Sequence, residues 1–419
     1  MKISPARIGA SEILLKIERE KAFSSVLLAA GEENLSAPDR ALCHEIVLGT
    51  LRRQIYLDRI IDRLTNDRKL DQVVRIILRS ALYQLVFLDR IPAHAAINDA
   101  VNLVQRAKKT SARGLVNAVL RNFTRGPFVP EFADELDRLS VETSHPRWLL
   151  EKWIGQFGFE ETAKLAAADN ETPGPGFRWT ARTTAAVRES LAKEPADRNY
   201  LRELAANGKI YFQDEGSQLV GQTVKLKEGD RFLDVCAAPG SKTTQIAAVY
   251  RDLKSKLIVA GDRFEPRAKI LRENCRRQGV GEVAVVRYDA EQPLPFAPES
   301  FDVVLVDAPC SGTGTIRHNP EIRYYLKPAD FSELQRKQLG ILEQASKMVK
   351  SGGRLIYSTC SLEIEENEIV CERFLGGGAA FVKSPAGLPG SLTTAEGFAR
   401  TFPQKHGIDG FFVAVFEKK

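Results

Sequence analysis

Cys310 and Cys360 each follow a stretch of opposite character. Residues 301–310 read FDVVLVDAPC: the apolar run 303–306 gives way abruptly to Asp307, Ala308, Pro309 and the thiol, and SGTG follows at 311–314. The second cysteine comes after residues 353–357, in Ser358-Thr359-Cys360-Ser361. A third apolar stretch, 231–235, runs into Cys236-Ala237-Ala238-Pro239-Gly240-Ser241-Lys242. Short continuous apolar runs of this kind read as strands buried on both faces, as in a parallel sheet. In open α/β sheets ligands gather at the carboxyl ends of the strands, so two thiols, the Asp307 carboxylate and the Lys242 ammonium are expected at one sheet edge. A cation near a thiol lowers its pKa and favours the nucleophilic thiolate. Cys43, Cys275 and Cys371 fall inside expected helices, where a cysteine behaves as a small hydrophobe.

The stretch 234–242, DVCAAPGSK, follows a strand and opens a helix. Its small residues let a ligand approach the backbone closely, and the helix start offers free N–H groups. Its glycines fit neither G-x-G-x-x-G nor a phosphate-binding P-loop. Asp262 ends the next strand in VAGD, where an acid is placed to accept hydrogen bonds from ribose hydroxyls. Asp289, in RYDA, ends the third strand and is expected near an adenine. A nucleoside cofactor without phosphates is implied, and S-adenosylmethionine fits. A thiolate beside a methyl donor suits methylation at carbon 5 of a pyrimidine. Carbon 5 of cytosine is a poor nucleophile, and addition of sulfur to C6 makes it enamine-like. Asp307 is then the group to hydrogen-bond or protonate ring N3 as charge develops.

Several elements must position these groups. A chain of 419 residues is long enough for two or three domains. A net charge of +6 permits a nucleic-acid partner without requiring one. Six cysteines without a C-x-x-C pair suggest neither a disulfide scaffold nor a metal site, and no metal is expected. Reduced thiols, no apolar leader and no apolar run near the ~20 residues of a membrane span point to a cytoplasmic protein without a membrane partner.

Residues 1–125 read as all helix, with the apolar stripe of Val73, Val74, Ile77, Leu78, Ala81, Leu82 and Leu85 marking a central helix. Arg52, Arg53, Arg79, Arg106, Arg113 and Arg121 punctuate these helices, either as a solvated face or as phosphate contacts. A short helix is expected over 147–157, then strands at 177–179 and 208–213. Arg178, Arg182 and Arg188 with Trp179 are further candidates for contacting a nucleic-acid strand. From about residue 221 strands alternate with helices: strands at 231–235, 257–261, 283–287, 303–306, 354–357 and 411–416, helices from 241 and over 265–278, 329–349 and 363–374. Such alternation implies βαβ units and a largely parallel sheet.

Beyond these patterns the chain carries a family resemblance. FQDEGSQL at 212–219, DVCAAPGSKT at 234–243, DAPCSGTGTIRHNPEIR at 307–323, STCSLEIEENE at 358–368 and HGIDGFF at 406–412 resemble the RNA 5-methylcytosine methyltransferases of the Sun/RsmB family, over roughly 145–419. The helical order of the first 125 residues, with GLVNAVLRNF at 114–123, resembles the NusB family. The resemblance implies a Rossmann-like α/β S-adenosylmethionine-dependent methyltransferase domain at 223–419, an all-α NusB-like RNA-binding domain at 1–140 and a small α+β connecting subdomain at 141–222. It implies Cys360 as nucleophile, Cys310 as the thiol that assists release, and Asp307 and Lys242 as further catalytic groups. The cofactor residues carry over to Cys236, Ala237, Ala238, Pro239, Gly240, Ser241, Lys242, Asp262, Asp289 and Asp307. Ser241 stands where the family commonly has glycine, and Gly216 where it usually has alanine; both departures are expected to matter little. The implied protein is a monomeric enzyme acting on small-subunit ribosomal RNA. A tRNA methyltransferase of the same family and a non-catalytic RNA-binding assembly factor are the rivals.

Overall fold

The computed structural model describes residues 3–31, 35–126, 128–193, 197–378 and 380–419. Residues 1, 2 and 32–34 of the expected helical span lie outside the described residues. The chain forms two compact units: residues 1–172 with 316–326, and residues 173–315 with 327–419. The expected connecting stretch 141–222 runs across both units, with 141–172 in the helical unit and 173–222 in the α/β unit. Among the described residues no helix is long and apolar enough to cross a membrane.

In the first unit Gln72–Phe87 is the central helix. Asp71 caps it by accepting from the Val73 N–H at 2.9 Å. Ile77, Leu78 and Leu82 pack against Ala100, Val104, Val116 and Leu120, while Ile76, on another face, meets Leu14 and Ile46. Two of the arginines offered as phosphate contacts are not on the surface. Arg79 is buried and paired with Asp58 at 2.7 Å and Glu18 at 3.0 Å; Arg52 is buried and donates to the Arg317 carbonyl at 3.0 Å. Burying a guanidinium is costly unless its donors are taken; acids from other helices take those of Arg79, and a backbone carbonyl takes one of Arg52. Arg113 and Arg121 remain exposed.

The segment 316–326 belongs to this unit although it follows the P-C-S-G loop in sequence. Its Arg323 is fully buried and donates to the Thr143 carbonyl at 3.0 Å and Asn170 Oδ1 at 3.1 Å. Beside it the buried His145 ring meets Asp169 at 3.2 Å. Burial, reinforced by the Arg323 charge, holds the His145 pKa well below the ordinary histidine value.

The second unit contains β1 (Phe177–Trp179), β2 (Ile210–Phe212), β3 (Arg231–Asp234), β4 (Leu257–Asp262), β5 (Ala284–Arg287), β6 (Phe301–Asp307), β7 (Val349–Thr359), β8 (Phe381–Ser384), β9 (Ala399–Arg400) and β10 (Phe412–Lys418). β1 and β2 form an antiparallel pair; the others form one sheet in the order β5-β4-β3-β6-β7-β10-β8, with β9 beside β10. β5 to β7 along this order are parallel, and β10 and β8 extend the sheet antiparallel. Alternate residues serve opposite faces: Leu233, Val304 and Val306 join Ile341, Leu342 and Val370 in one core, Phe232, Val303 and Leu305 join Ile246, Leu271 and Cys275 in the other. This Rossmann-like three-layer arrangement is the one expected from alternating strands and helices. The edge strands β8 and β9 were not foreseen. The order reverses between β3 and β6, so the carboxyl ends of those strands flank the crevice where such sheets bind ligands.

Candidate active site

Register brings the two thiols together. β6 and β7 are parallel with Asp307 opposite Ser358. Three residues beyond Asp307 comes Cys310, and two beyond Ser358 comes Cys360, at the same edge. Their sulfurs lie 3.2 Å apart, and the Cys360 N–H donates to the Cys310 sulfur at 3.3 Å. The hydrogen bond with Cys360, and then burial, hold the Cys310 thiol well above the ordinary cysteine range. Gly314, on the loop after Cys310, has no room for a side chain: a Cβ there would lie 2.1 Å from the Gly410 carbonyl oxygen.

Lys242 and Asp307 meet at 2.6 Å, and Ser358 Oγ donates to the other Asp307 oxygen at 2.8 Å. Burial opposes the Lys242 charge, but the Asp307 carboxylate outweighs it and raises the Lys242 pKa above the ordinary lysine value. The ammonium also sits 5.2 Å from the centre of the Phe411 ring. Asp234, fully buried at the end of β3, accepts from Thr243 Oγ1 at 2.6 Å; burial pushes its carboxyl up to about 7.

Next to the thiols opens a cavity of about 250 Å³, lined by Cys236, Ala238, Asp262, Asp289, Asp307, Cys310 and Cys360 among others. Asp262 is buried, and its Oδ1 accepts the Phe264 N–H at 3.0 Å while Arg267 Nε stands 3.4 Å from Oδ2. Asp289 meets Arg263 at 3.3 Å. Each carboxylate has four lone-pair sites and keeps capacity for further donors. The exposed Phe264 ring and Ile341 add apolar surface to the same lining. Two carboxylates with acceptor capacity left, an aromatic ring, small backbone and no cluster of phosphate-binding glycines fit a phosphate-free nucleoside cofactor such as S-adenosylmethionine.

Of the expected cofactor residues, Cys236, Ala238, Asp262, Asp289 and Asp307 line this cavity; Ala237, Pro239, Gly240, Ser241 and Lys242 form the loop and helix start beside it. Gly240 has φ +100°, and a Cβ there would meet Leu271 Cδ1 at 2.6 Å. Arg178, a candidate RNA contact in the sequence, instead anchors this loop. It is buried and donates to Gln213 Oε1 at 2.6 Å, Thr244 Oγ1 at 2.6 Å, Gln278 Oε1 at 2.9 Å and the Ser241 carbonyl at 3.0 Å. Its guanidinium is thus turned into the domain rather than toward a surface phosphate. Gly216 also matters more than its sequence suggests: a Cβ would lie 2.7 Å from the Phe411 ring and 2.8 Å from the Asp409 carbonyl oxygen. Sequence reasoning missed Arg263, Phe264, Arg267, Glu291, Lys337 and Ile341, which also line it. The signal for the first three was their place in DRFEPR directly after Asp262.

Similarities to known proteins agree with this geometry. Residues 221–417 match the 16S rRNA methyltransferase RsmB/F family, and residues 4–125 the NusB family. The chain is 33% identical, over all of both chains, to the probable ribosomal RNA small subunit methyltransferase B of Bacillus subtilis. It is 34% identical to the protein of that name in Synechocystis, over 99% of each chain, and 32% identical to the ribosomal RNA small subunit methyltransferase B of Pseudomonas syringae, over 97% of this chain and 96% of the other. The crystal structure of PH0851 superposes over all of both chains with a TM-score of 0.83 at 26% identity. A methyltransferase homolog from Pyrococcus horikoshii does so over 69% of this chain and all of its own, with a TM-score of 0.58 at 25% identity. The chain belongs to the 16S rRNA methyltransferase RsmB/F family of S-adenosylmethionine-dependent enzymes and carries a NusB-family domain ahead of its catalytic one.

Proposed function

We propose that this enzyme methylates carbon 5 of a cytosine in small-subunit ribosomal RNA through a covalent adduct with Cys360. The observation that carries the covalent route is the 3.2 Å approach of the Cys310 and Cys360 sulfurs at the mouth of the cavity. Two thiols that close can address one base. With the Cys310 thiol held protonated, Cys360 is the sulfur left to act as thiolate, and Cys310 is placed to donate a hydrogen bond to it. Cys360 adds to C6, and electron density moves toward C5 while ring N3 gains basicity. Asp307, with Lys242 beside it, is the group placed to share a proton with N3. The cofactor, when bound, supplies the electrophilic methyl group. After methyl transfer water carries the C5 proton away and N3 returns its proton to Asp307; the C5–H electron pair restores the C5–C6 double bond as the Cys360–C6 bond breaks, and the Cys310 thiol assists release by donating a hydrogen bond to the departing Cys360 thiolate.

The small-subunit substrate is inferred from the names of the full-length relatives and from the NusB-family domain. In this reading residues 1–140 bind RNA, 141–222 connect, and 223–419 perform the transfer, in a cytoplasmic monomer. Full-length enzyme given radiolabelled S-adenosylmethionine should label unmodified small-subunit ribosomal RNA, with 5-methylcytosine as the product. Label carried by tRNA in preference would favour the family's other substrate class, and none on either RNA would favour an assembly factor.

A further inference from the structure

Behind the two thiols lies a carboxylate that no step above uses. Glu366 is fully buried, and four neutral donors converge on it. Ser311 gives two, its N–H at 2.9 Å and its hydroxyl at 2.5 Å; Ser361 Oγ donates at 2.6 Å and Gln338 Nε2 at 2.8 Å. Ser311 and Ser361 are the residues that directly follow Cys310 and Cys360. We propose that Glu366 is a positioning residue that sets the separation of the two site thiols by bridging Ser311 and Ser361.

The bridge is itself anchored. The Glu366 carbonyl accepts the Tyr357 hydroxyl at 2.6 Å, and Tyr357 lies in β7, three residues before Cys360. The next residue repeats the pattern: Asn367 Oδ1 accepts from Thr359 Oγ1 at 2.5 Å, and its amide donates to the Ser361 carbonyl at 2.9 Å. Gln338 also donates to the Pro309 carbonyl at 3.0 Å, on the other side of Cys310. Cys360 is thus held on both flanks by Glu366 and Asn367, and Cys310 by Glu366 on one side and Gln338 on the other. An ionised carboxylate is acceptor-only and takes all four donors at once; no neutral side chain does so. Burying its charge is expensive without such bonds. If packing alone were needed here, an apolar residue would serve at lower cost. Glu366 does not line the cavity, so it acts through the thiols and touches neither substrate nor cofactor.

The inference rests on the two-thiol reading, so its test includes a measurement that needs no methyl transfer. Phenylarsine oxide chelates two thiols only when they are close. Full-length wild type should bind it well above the level of C310A, which keeps one site thiol. E366A should lose about tenfold of that extra affinity and about a hundredfold in kcat, with KM for RNA and affinity for S-adenosylmethionine changed less than about threefold. E366Q can accept the Ser311 N–H and Gln338 bonds through its carbonyl while its amide donates to the two hydroxyls, so it should restore both readouts to within about threefold of wild type. S311A/S361A removes the bridge without touching the acid and should reproduce E366A; it decides the matter if E366A fails to fold. Wild-type arsenical affinity in E366A or in S311A/S361A would overturn the proposal, whatever the activity. Loss of methyl transfer in C360A or C310A bears on the two-thiol chemistry alone.

Discussion

At the thiol end of the cavity, Glu366, Ser361 and Gln338 are fully buried, and uncharged donors meet the Glu366 carboxylate at 2.5–2.9 Å. At the nucleoside end, Arg263 and Arg267 are half exposed and stand 3.3 and 3.4 Å from Asp289 and Asp262. One end is dry and over-determined, the other wet and loosely paired. The difference follows from the work proposed for each. A bond-forming sulfur must be held close to one geometry, because small displacements cost rate steeply. A cofactor end must admit and release a molecule each turnover, and long pairs at an exposed surface are worth little and exchange easily.

The contrast predicts unequal responses to substitution. Removing the nucleophile at the rigid end is the largest effect: C360A should lose at least about a thousandfold in methyl transfer. Residual activity within tenfold of wild type would mean the two ends do not divide the work this way. At the open end, D262A should weaken S-adenosylmethionine by about ten- to hundredfold, the cost of a lost hydrogen-bond partner to charge. R267A, which removes a half-exposed guanidinium 3.4 Å from Asp262, should cost less than about fivefold. Calorimetry on both folded variants checks the ranking, and equal losses would contradict it.

Smaller effects probe the scaffold between the ends. G216A should lower stability by about 1–3 kcal/mol, because the Asp409 carbonyl and the Phe411 ring must shift; an unchanged Tm would mean this packing is softer than it looks. Asp234 links stability to pH. Its folded pKa of about 7 lies above the unfolded value near 3.9. The folded state therefore holds its proton more tightly; the stability this contributes is full below the unfolded pKa and disappears as pH rises through the folded one. D234N, neutral throughout, should lack that part of the decline, so the difference in Tm between D234N and wild type should move in favour of D234N from pH 5 to pH 8. A pH-independent difference would show that Asp234 is ionised at pH 5 already.

The thiol end was the more legible in the sequence. Its strands are apolar runs that stop abruptly, and the residues after each stop fall at one edge by register alone. Asp262 and Asp289 were legible for the same reason. Lys337 and Ile341 were not, because which face of a helix lines a cavity depends on packing that no local pattern states. Arginines misled most. Arg52, Arg79 and Arg178 look alike in sequence to exposed phosphate contacts, yet each is buried by acceptors far along the chain: Arg317 for the first, Glu18 and Asp58 for the second, Gln278 for the third. The segment 316–326 gave no sign that it packs with the helical unit, since its buried anchor, Arg323, finds acceptors at Thr143 and Asn170.

The most direct test of the account is whether the two thiols can be separated in time. C310A, incubated with substrate RNA and S-adenosylmethionine, should add Cys360 to the base and stall before release. An RNA-linked protein should then appear as a retarded band on a denaturing gel, and it should be absent without S-adenosylmethionine and absent in C310A/C360A. C360A alone should give no band. A band in C360A and none in C310A would reverse the two roles; no band in either, with methylation preserved, would contradict the covalent mechanism itself.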